Sequence, residues 1–101
     1  MTATDRIVRL MITGRVQAVG FRAFVEDEAG RRGMRGWVRN RRDGAVEAVV
    51  AGPKEVLDVL IDALRRGPPA AQVDAVDVQE ADPTALEMLL PGEEFSVLPT
   101  A

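Results

Sequence analysis

Two side chains, Arg22 and Asn40, and one loop between glycines have the types and spacing to handle an anion. The loop lies in Gly14-Arg15-Val16-Gln17-Ala18-Val19-Gly20-Phe21-Arg22, which follows an apolar, β-branched run and opens a helical pattern. A strand that passes into a helix through a glycine-flanked loop leaves backbone N–H groups unpaired and aimed outward. With the first N–H groups of the helix and the positive end of its dipole, they make a cup for an oxyanion. Arg22 falls in the first helical turn beside that cup. Its planar fork of donors suits a phosphate group better than a lysine would. The expected anion donors are the N–H groups of Arg15, Val16, Gln17, Ala18, Val19 and Gly20. The same letters also describe an ordinary loop with two glycines and a surface arginine, and spacing alone leaves both readings open. Asn40 offers a neutral carboxamide, and it also precedes a turn, where asparagine is common for local reasons.

The elements that must position these groups follow from periodicity. Ile7 to Thr13 reads as a first strand, with Val8, Leu10 and Ile12 on one face. Phe21 to about Arg32 reads as a helix, stopped by Gly33. Arg35 to Asn40 is a second strand, and Arg41-Arg42-Asp43-Gly44 a turn whose Asp-Gly supplies positive φ. Ala45 to Ala51 is a third strand, with Val46, Ala48 and Val50 facing one way and Glu47 and Val49 the other. A second helix starts at Gly52-Pro53 with Pro53 at its first position, and Gly67-Pro68-Pro69 ends it. Val73 to about Glu80 is a fourth strand with Val76 and Val78 inward. Asp82 to Gly92 fits a helical turn or a loop over the core, and Phe95 to Leu98 a short last strand. Met1 to Asp5 reads as a loose terminus.

Strand, helix, strand, strand, helix, strand is the split β-α-β pattern twice over. It predicts an α+β, ferredoxin-like βαββαβ sandwich, two helices on one face of a mostly antiparallel sheet with a short fifth strand. Val8, Leu10, Ile12, Val38, Val46, Val50, Val76 and Val78 are expected to meet Phe24, Val25, Leu57, Leu60 and Leu64. Strands one and two are joined by a helical crossover, so they run in the same direction and end at the same edge. That brings the glycine loop and Asn40 together as parts of one pocket.

Composition narrows the chemistry. The chain has 101 residues, no cysteine and no histidine. A thiol nucleophile, a phosphohistidine, an imidazole base and most transition-metal sites are therefore excluded, and catalysis must use arginine, amide, carboxylate, backbone or water. The length suits one domain over residues 1–101. No run is long enough to span a membrane, and no apolar segment of a secretory signal is evident, so a cytoplasmic protein is expected. Residues 1–42 carry ten arginines against four acids, hence +6, and the remainder three basic against twelve acidic residues, hence −9. The acidic total speaks against a general nucleic-acid binder. The basic first part suits a small anionic substrate.

The quoted loop, with Gly36-Trp37-Val38-Arg39-Asn40 and Asp43-Gly44-Ala45-Val46-Glu47 at this spacing, resembles the acylphosphatase family. Gly52-Pro53, Gly67-Pro68-Pro69 and Val73 match in place, and the likeness runs from about Ile7 to Glu80 and faintly to Phe95. The resemblance implies hydrolysis of acyl phosphates to carboxylate and inorganic phosphate, with no metal, no other cofactor and no phosphoenzyme. It implies that Arg22 binds the phosphate with the N–H groups of roughly Arg15 to Gly20, and that Asn40 holds the attacking water. Ala18 departs from the family, which usually has glycine there. A left-handed backbone at that position would cost alanine roughly 1 kcal/mol.

The remaining candidates have plainer expected roles. Arg15 is a solvated loop residue, and Gln17 and Thr13 are either loop braces or exposed. Arg39, Arg41 and Arg42 form a solvated face, Trp37 is partly buried on the sheet, and Glu26, Asp27 and Glu28 are helix-terminal charges. The alternative function is a non-catalytic phosphate-binding ferredoxin-like module. An RNA reader would need aromatics on the central strands, where Trp37 stands alone. The expected partner is a small-molecule acyl phosphate, with no nucleic acid and no membrane, and the protein is expected to be a monomer.

Overall fold

A computed structural model describes residues 5–101, and the expected loose terminus lies outside the described residues except for Asp5, which opens the first strand. The order is β1 (Asp5–Arg15), α1 (Phe21–Arg31), β2 (Arg35–Asn40), β3 (Val46–Pro53), α2 (Lys54–Arg66), β4 (Gln72–Glu80), a 3-10 helix (Pro83–Met88) and β5 (Phe95–Val97). The strands lie in the order β4-β1-β3-β2-β5. β1 and β2 are both antiparallel to β3 and therefore run the same way. This is the expected ferredoxin-like sandwich, with β5 added parallel to β2.

The register explains why the ends of β1 and β2 converge. Val46 of β3 pairs with Ile12 on one side and Asn40 on the other. Two strand spacings, about 10 Å, thus separate the exit of β1 from the end of β2. A bulge between Thr13 and Gly14 then turns the chain out of the sheet. Gly14 has φ 120°, and a Cβ there would stand 2.2 Å from the Gln72 carbonyl oxygen, so only glycine fits.

The core between sheet and helices is apolar by alternation. Val8, Leu10, Ile12, Val38, Val46, Val50 and Val76 are buried with Val25, Leu57, Leu60 and Leu64. Val78 departs from the expectation and stays 38 % exposed. It sits on the edge strand β4, beside the polar flank of α2 formed by Asp58, Asp62 and Arg65, so no neighbour closes over it. Pro53 closes β3 and caps α2 instead of opening the helix, and Lys54 is the first helical residue. Its ψ of 145° is extended, which places it just outside the helix. Helix α1 ends as expected: Gly33 at φ 67° lets its own N–H reach the Gly30 carbonyl and the Met34 N–H reach that of Ala29.

The second face of the sheet is also covered. Trp37, Val49 and Leu98 form a separate buried cluster, joined by Ile7, Ala85 and Leu86. The 3-10 helix lies over it, and the Trp37 indole N–H donates to the Ala85 carbonyl at 2.7 Å. Trp37 is thus fully buried, beyond the partial burial expected of it. Past β5 the chain continues beside β2: the Leu98 N–H donates to the Val38 carbonyl and the Ala101 N–H to the Asn40 carbonyl at 3.0 Å.

Candidate active site

The residues between β1 and α1 form an open cup. Gly20 takes the left-handed conformation, φ 78°, as the residue before the helix, and no side chain caps that end. The N–H groups of residues 16–20 donate to no acceptor among the described residues, so they remain available. Two side chains anchor the loop beneath. Val16 and Phe21 are buried in the core, and Phe21 packs its ring 5.6 Å from that of Phe24. The Gln17 amide donates to the carbonyls of Arg41 at 2.6 Å and Ala45 at 2.9 Å. Gln17 is therefore a brace that ties the loop to the hairpin following Asn40.

Ala18 has φ 61°, the one non-glycine positive φ among the described residues. The loop keeps its left-handed turn and alanine bears the strain of about 1 kcal/mol. Ala18→Gly is expected to raise unfolding free energy by about 1 kcal/mol, read as a higher urea midpoint at unchanged slope. A lower midpoint would contradict this account of the loop.

A cleft of about 520 Å³ collects the expected groups: Arg22 and Asn40 line it with Val16, Ala18 and Gly20. Arg15, Gln17 and Val19 do not line it; Arg15 ends β1 in register with Gln72, and Val19 packs on the core. Arg22 is half-buried, and its Nη1 donates over a long 3.4 Å to the Leu98 carbonyl. It forms no ion pair among the described residues. The Asn40 carboxamide likewise has no hydrogen-bond partner among the described residues, although its backbone is held by β3 and by Ala101. Among the described residues, a guanidinium with no ion-pair partner, unclaimed loop amides and an unclaimed carboxamide thus share one cavity. No group of three or more metal-ligating side chains gathers among the described residues.

Sequence reasoning missed part of the cleft. Leu90, Glu93, Val97 and Glu26 also line it. Leu90 comes from the Asp82 to Gly92 segment, Glu93 follows it and Val97 lies in the short last strand, and the signal was apolar residues in the segment with no periodic place in the core. Asp27 and Glu28 pair with Arg31 and Arg32, as charges along a helix do, while Glu26 has no such partner among the described residues.

Arg42 is exposed as expected, but Arg39 and Arg41 differ from the expected solvated face. Glu47, only 4 % exposed, accepts from Arg39 Nε at 2.8 Å, Arg41 Nη1 at 3.1 Å and Arg9 Nε at 3.0 Å. Arg39 also stacks 4.9 Å over the Trp37 ring. The cover on the second sheet face buries this carboxylate, on the face where alternation puts it with Val49. The pairing leaves Arg22 as the one basic residue lining the cleft among the described residues.

Burial pushes the Glu47 carboxyl up, but the hydrogen bonds and charge of Arg39, with Arg41 and Arg9, outweigh it and hold the group below its ordinary value. Its stabilisation is therefore complete above the unfolded value of about 4.3 and is lost as pH falls through the lower folded value. Glu47→Gln is expected to cost about 3 kcal/mol at pH 7, because three arginines lose their counter-charge. Urea unfolding across acid pH should show that cost shrinking below about pH 4, and an equal cost at all pH values would refute it.

The acylphosphatase family profile matches residues 8–95 of the chain. The acylphosphatase of Rhodopseudomonas palustris strain BisB18 is 53% identical over 95 residues, covering 93% of this chain and 96% of the relative. Among solved structures, an acylphosphatase from Coxiella burnetii superposes with TM-score 0.82 at 30% identity, covering 97% of this chain and all of the other. The acylphosphatase from Bacillus subtilis gives TM-score 0.78 at 39% identity, covering 91% and 97%.

Proposed function

The chain belongs to the acylphosphatase family, whose reaction is the hydrolysis of the carboxyl–phosphate bond of acyl phosphates, and from that premise we propose how its residues perform it. The N–H groups of the loop, from Arg15 through Val16, Gln17, Ala18 and Val19 to Gly20, receive the phosphoryl oxygens. Arg22 supplies the forked cation. Donors fixed before the substrate arrives need no reorganisation as charge shifts in the transition state. Asn40 holds a water through its carboxamide, in line with the bond to be broken.

The leaving group is a carboxylate, a stable anion that departs without a general acid. A carboxamide orients water but is too weak a base to deprotonate it, and the proton passes to the phosphate oxygens of the substrate itself. No metal and no covalent phosphoenzyme enter this scheme. The supporting observation is that one cleft holds Arg22 and Asn40 with Val16, Ala18 and Gly20 of the loop, and that among the described residues the Asn40 carboxamide and the N–H groups of residues 16–20 are unclaimed while Arg22 makes one long bond to Leu98.

We further take the protein to be a single domain over residues 1–101 and a cytoplasmic monomer, acting on a small molecule and not on nucleic acid. The excess of acid over base and the absence of cysteine support this. Among the described residues no helix is long and apolar enough to cross a membrane. The test is turnover of benzoyl phosphate in the presence of a strong chelator. Steady release of benzoate and phosphate is expected. Binding of phosphate without turnover would instead make the cleft that of a non-catalytic module.

A further inference from the structure

The cleft wall has parts that the reaction scheme leaves unused. The loop and Arg22 take the phosphoryl group and Asn40 takes the water. In-line attack then directs the acyl group away from Asn40, toward the rest of the lining. Besides Phe21 and Ala23 at the start of α1, that remainder is Leu90 and Val97, with Glu26 and Glu93.

Leu90 is 45 % and Val97 39 % exposed, two of the large apolar side chains that folding leaves open. Half-open apolar groups at the rim of a reaction cleft are contact surface for an apolar ligand. Glu93 is fixed beside them. The buried Ser96 hydroxyl donates to Glu93 Oε1 at 2.6 Å and accepts from the Leu90 N–H at 3.0 Å. The Glu93 N–H closes the turn onto the Leu90 carbonyl at 3.1 Å. The apolar side chain and the carboxylate are thus held by one hydrogen-bonded turn. Glu26 adds a second negative charge, one helical turn beyond Arg22 and with no ion-pair partner among the described residues.

We propose that Leu90 and Val97, with Glu26 and Glu93, form the subsite for the acyl group and select substrates whose acyl part is apolar and carries no further negative charge. This rests on the reading of the cleft given above. A cationic group on the acyl part is favoured by the same carboxylates. A second carboxylate or phosphate on the substrate meets like charge there and is disfavoured.

The test uses three benzoyl phosphates that differ only at the para position: unsubstituted, aminomethyl and carboxy. In the wild-type protein kcat/KM for the carboxy compound is expected about tenfold below that for the aminomethyl compound at low salt, with the gap narrowing as salt rises. The double variant Glu26→Gln and Glu93→Gln is expected to bring the two within about twofold. Glutamine keeps the acceptor that Ser96 uses, so the turn stays formed. In Leu90→Ser the ratio of benzoyl to acetyl phosphate turnover should fall at least about threefold. A wild-type ratio near one between the charged compounds, or a ratio unmoved by the double variant, would overturn the subsite. Failure to hydrolyse any of the three would overturn the reading of the cleft itself, a separate and distinguishable result.

Discussion

Arg22→Ala lowers kcat/KM for benzoyl phosphate by about 10³- to 10⁵-fold and abolishes competitive inhibition by inorganic phosphate. The magnitude is that of a single arginine stabilising a transferring phosphoryl group. It is expected to be this large because no other basic residue among the described ones lines the cleft. Arg9, Arg39 and Arg41 are committed to Glu47 and cannot substitute. The fold should scarcely notice the change. Among the described residues the guanidinium's one partner is the Leu98 carbonyl at 3.4 Å, so unfolding free energy should move by less than about 1 kcal/mol. Arg22→Lys recovers charge but not the fork, and is expected to recover only part of the rate. Steady-state kinetics with phosphate inhibition, set beside urea unfolding, separate the two effects. Retained phosphate inhibition in a folded Arg22→Ala variant would remove this residue from the anion site.

Asn40→Ala has a different signature. Asn40 is assigned to the water, not to the phosphate. kcat should therefore fall by about 10²-fold or more, the cost of losing a positioned nucleophile, while phosphate inhibition stays within about threefold of wild type. Stability should hold, because the Asn40 backbone bonds to Ala101 and β3 survive the truncation and its carboxamide has no internal partner to lose. Asn40→Asp should be at least as damaging, since a carboxylate there repels the dianionic substrate. A parallel loss of phosphate affinity and rate in Asn40→Ala would instead place the carboxamide on the phosphate.

The two variants probe a constellation whose parts were unequally legible in the chain. The loop, Arg22 and Asn40 could be read early because each rule involved is local. Glycines bracket the loop, an apolar run precedes it, and an Asp-Gly turn follows the strand that ends at Asn40. Their meeting in one cleft followed from the helical crossover, which makes strands one and two run the same way and end at one edge, a rule of topology. The conformation of Ala18 was not legible, because alanine favours negative φ and only the surrounding loop forces it to 61°.

The burial of Glu47 was not legible for a related reason. Alternation along β3 gives two faces but does not say which are covered. The cover comes from the 3-10 helix and from Leu98 at the end of the short last strand, and nothing in their local pattern says which face they lie over. The chain between them supplies Leu90, Glu93 and Val97 to the cleft. Its path is set by tertiary bonds, such as Trp37 to Ala85 and Leu98 to Val38, which local pattern cannot announce. Val78 shows the converse: a good inward position by alternation, left open because it sits on an edge strand beside the polar flank of α2.

The central claim concerns where a tetrahedral oxyanion sits, and a crystal of the protein grown with inorganic phosphate tests it most directly. The account predicts an anion within hydrogen-bond reach of the N–H groups between Arg15 and Gly20 and of the Arg22 guanidinium, with an ordered water between it and the Asn40 carboxamide. A phosphate bound on the opposite sheet face around Arg41, with the loop amides turned inward onto carbonyl oxygens, would contradict it.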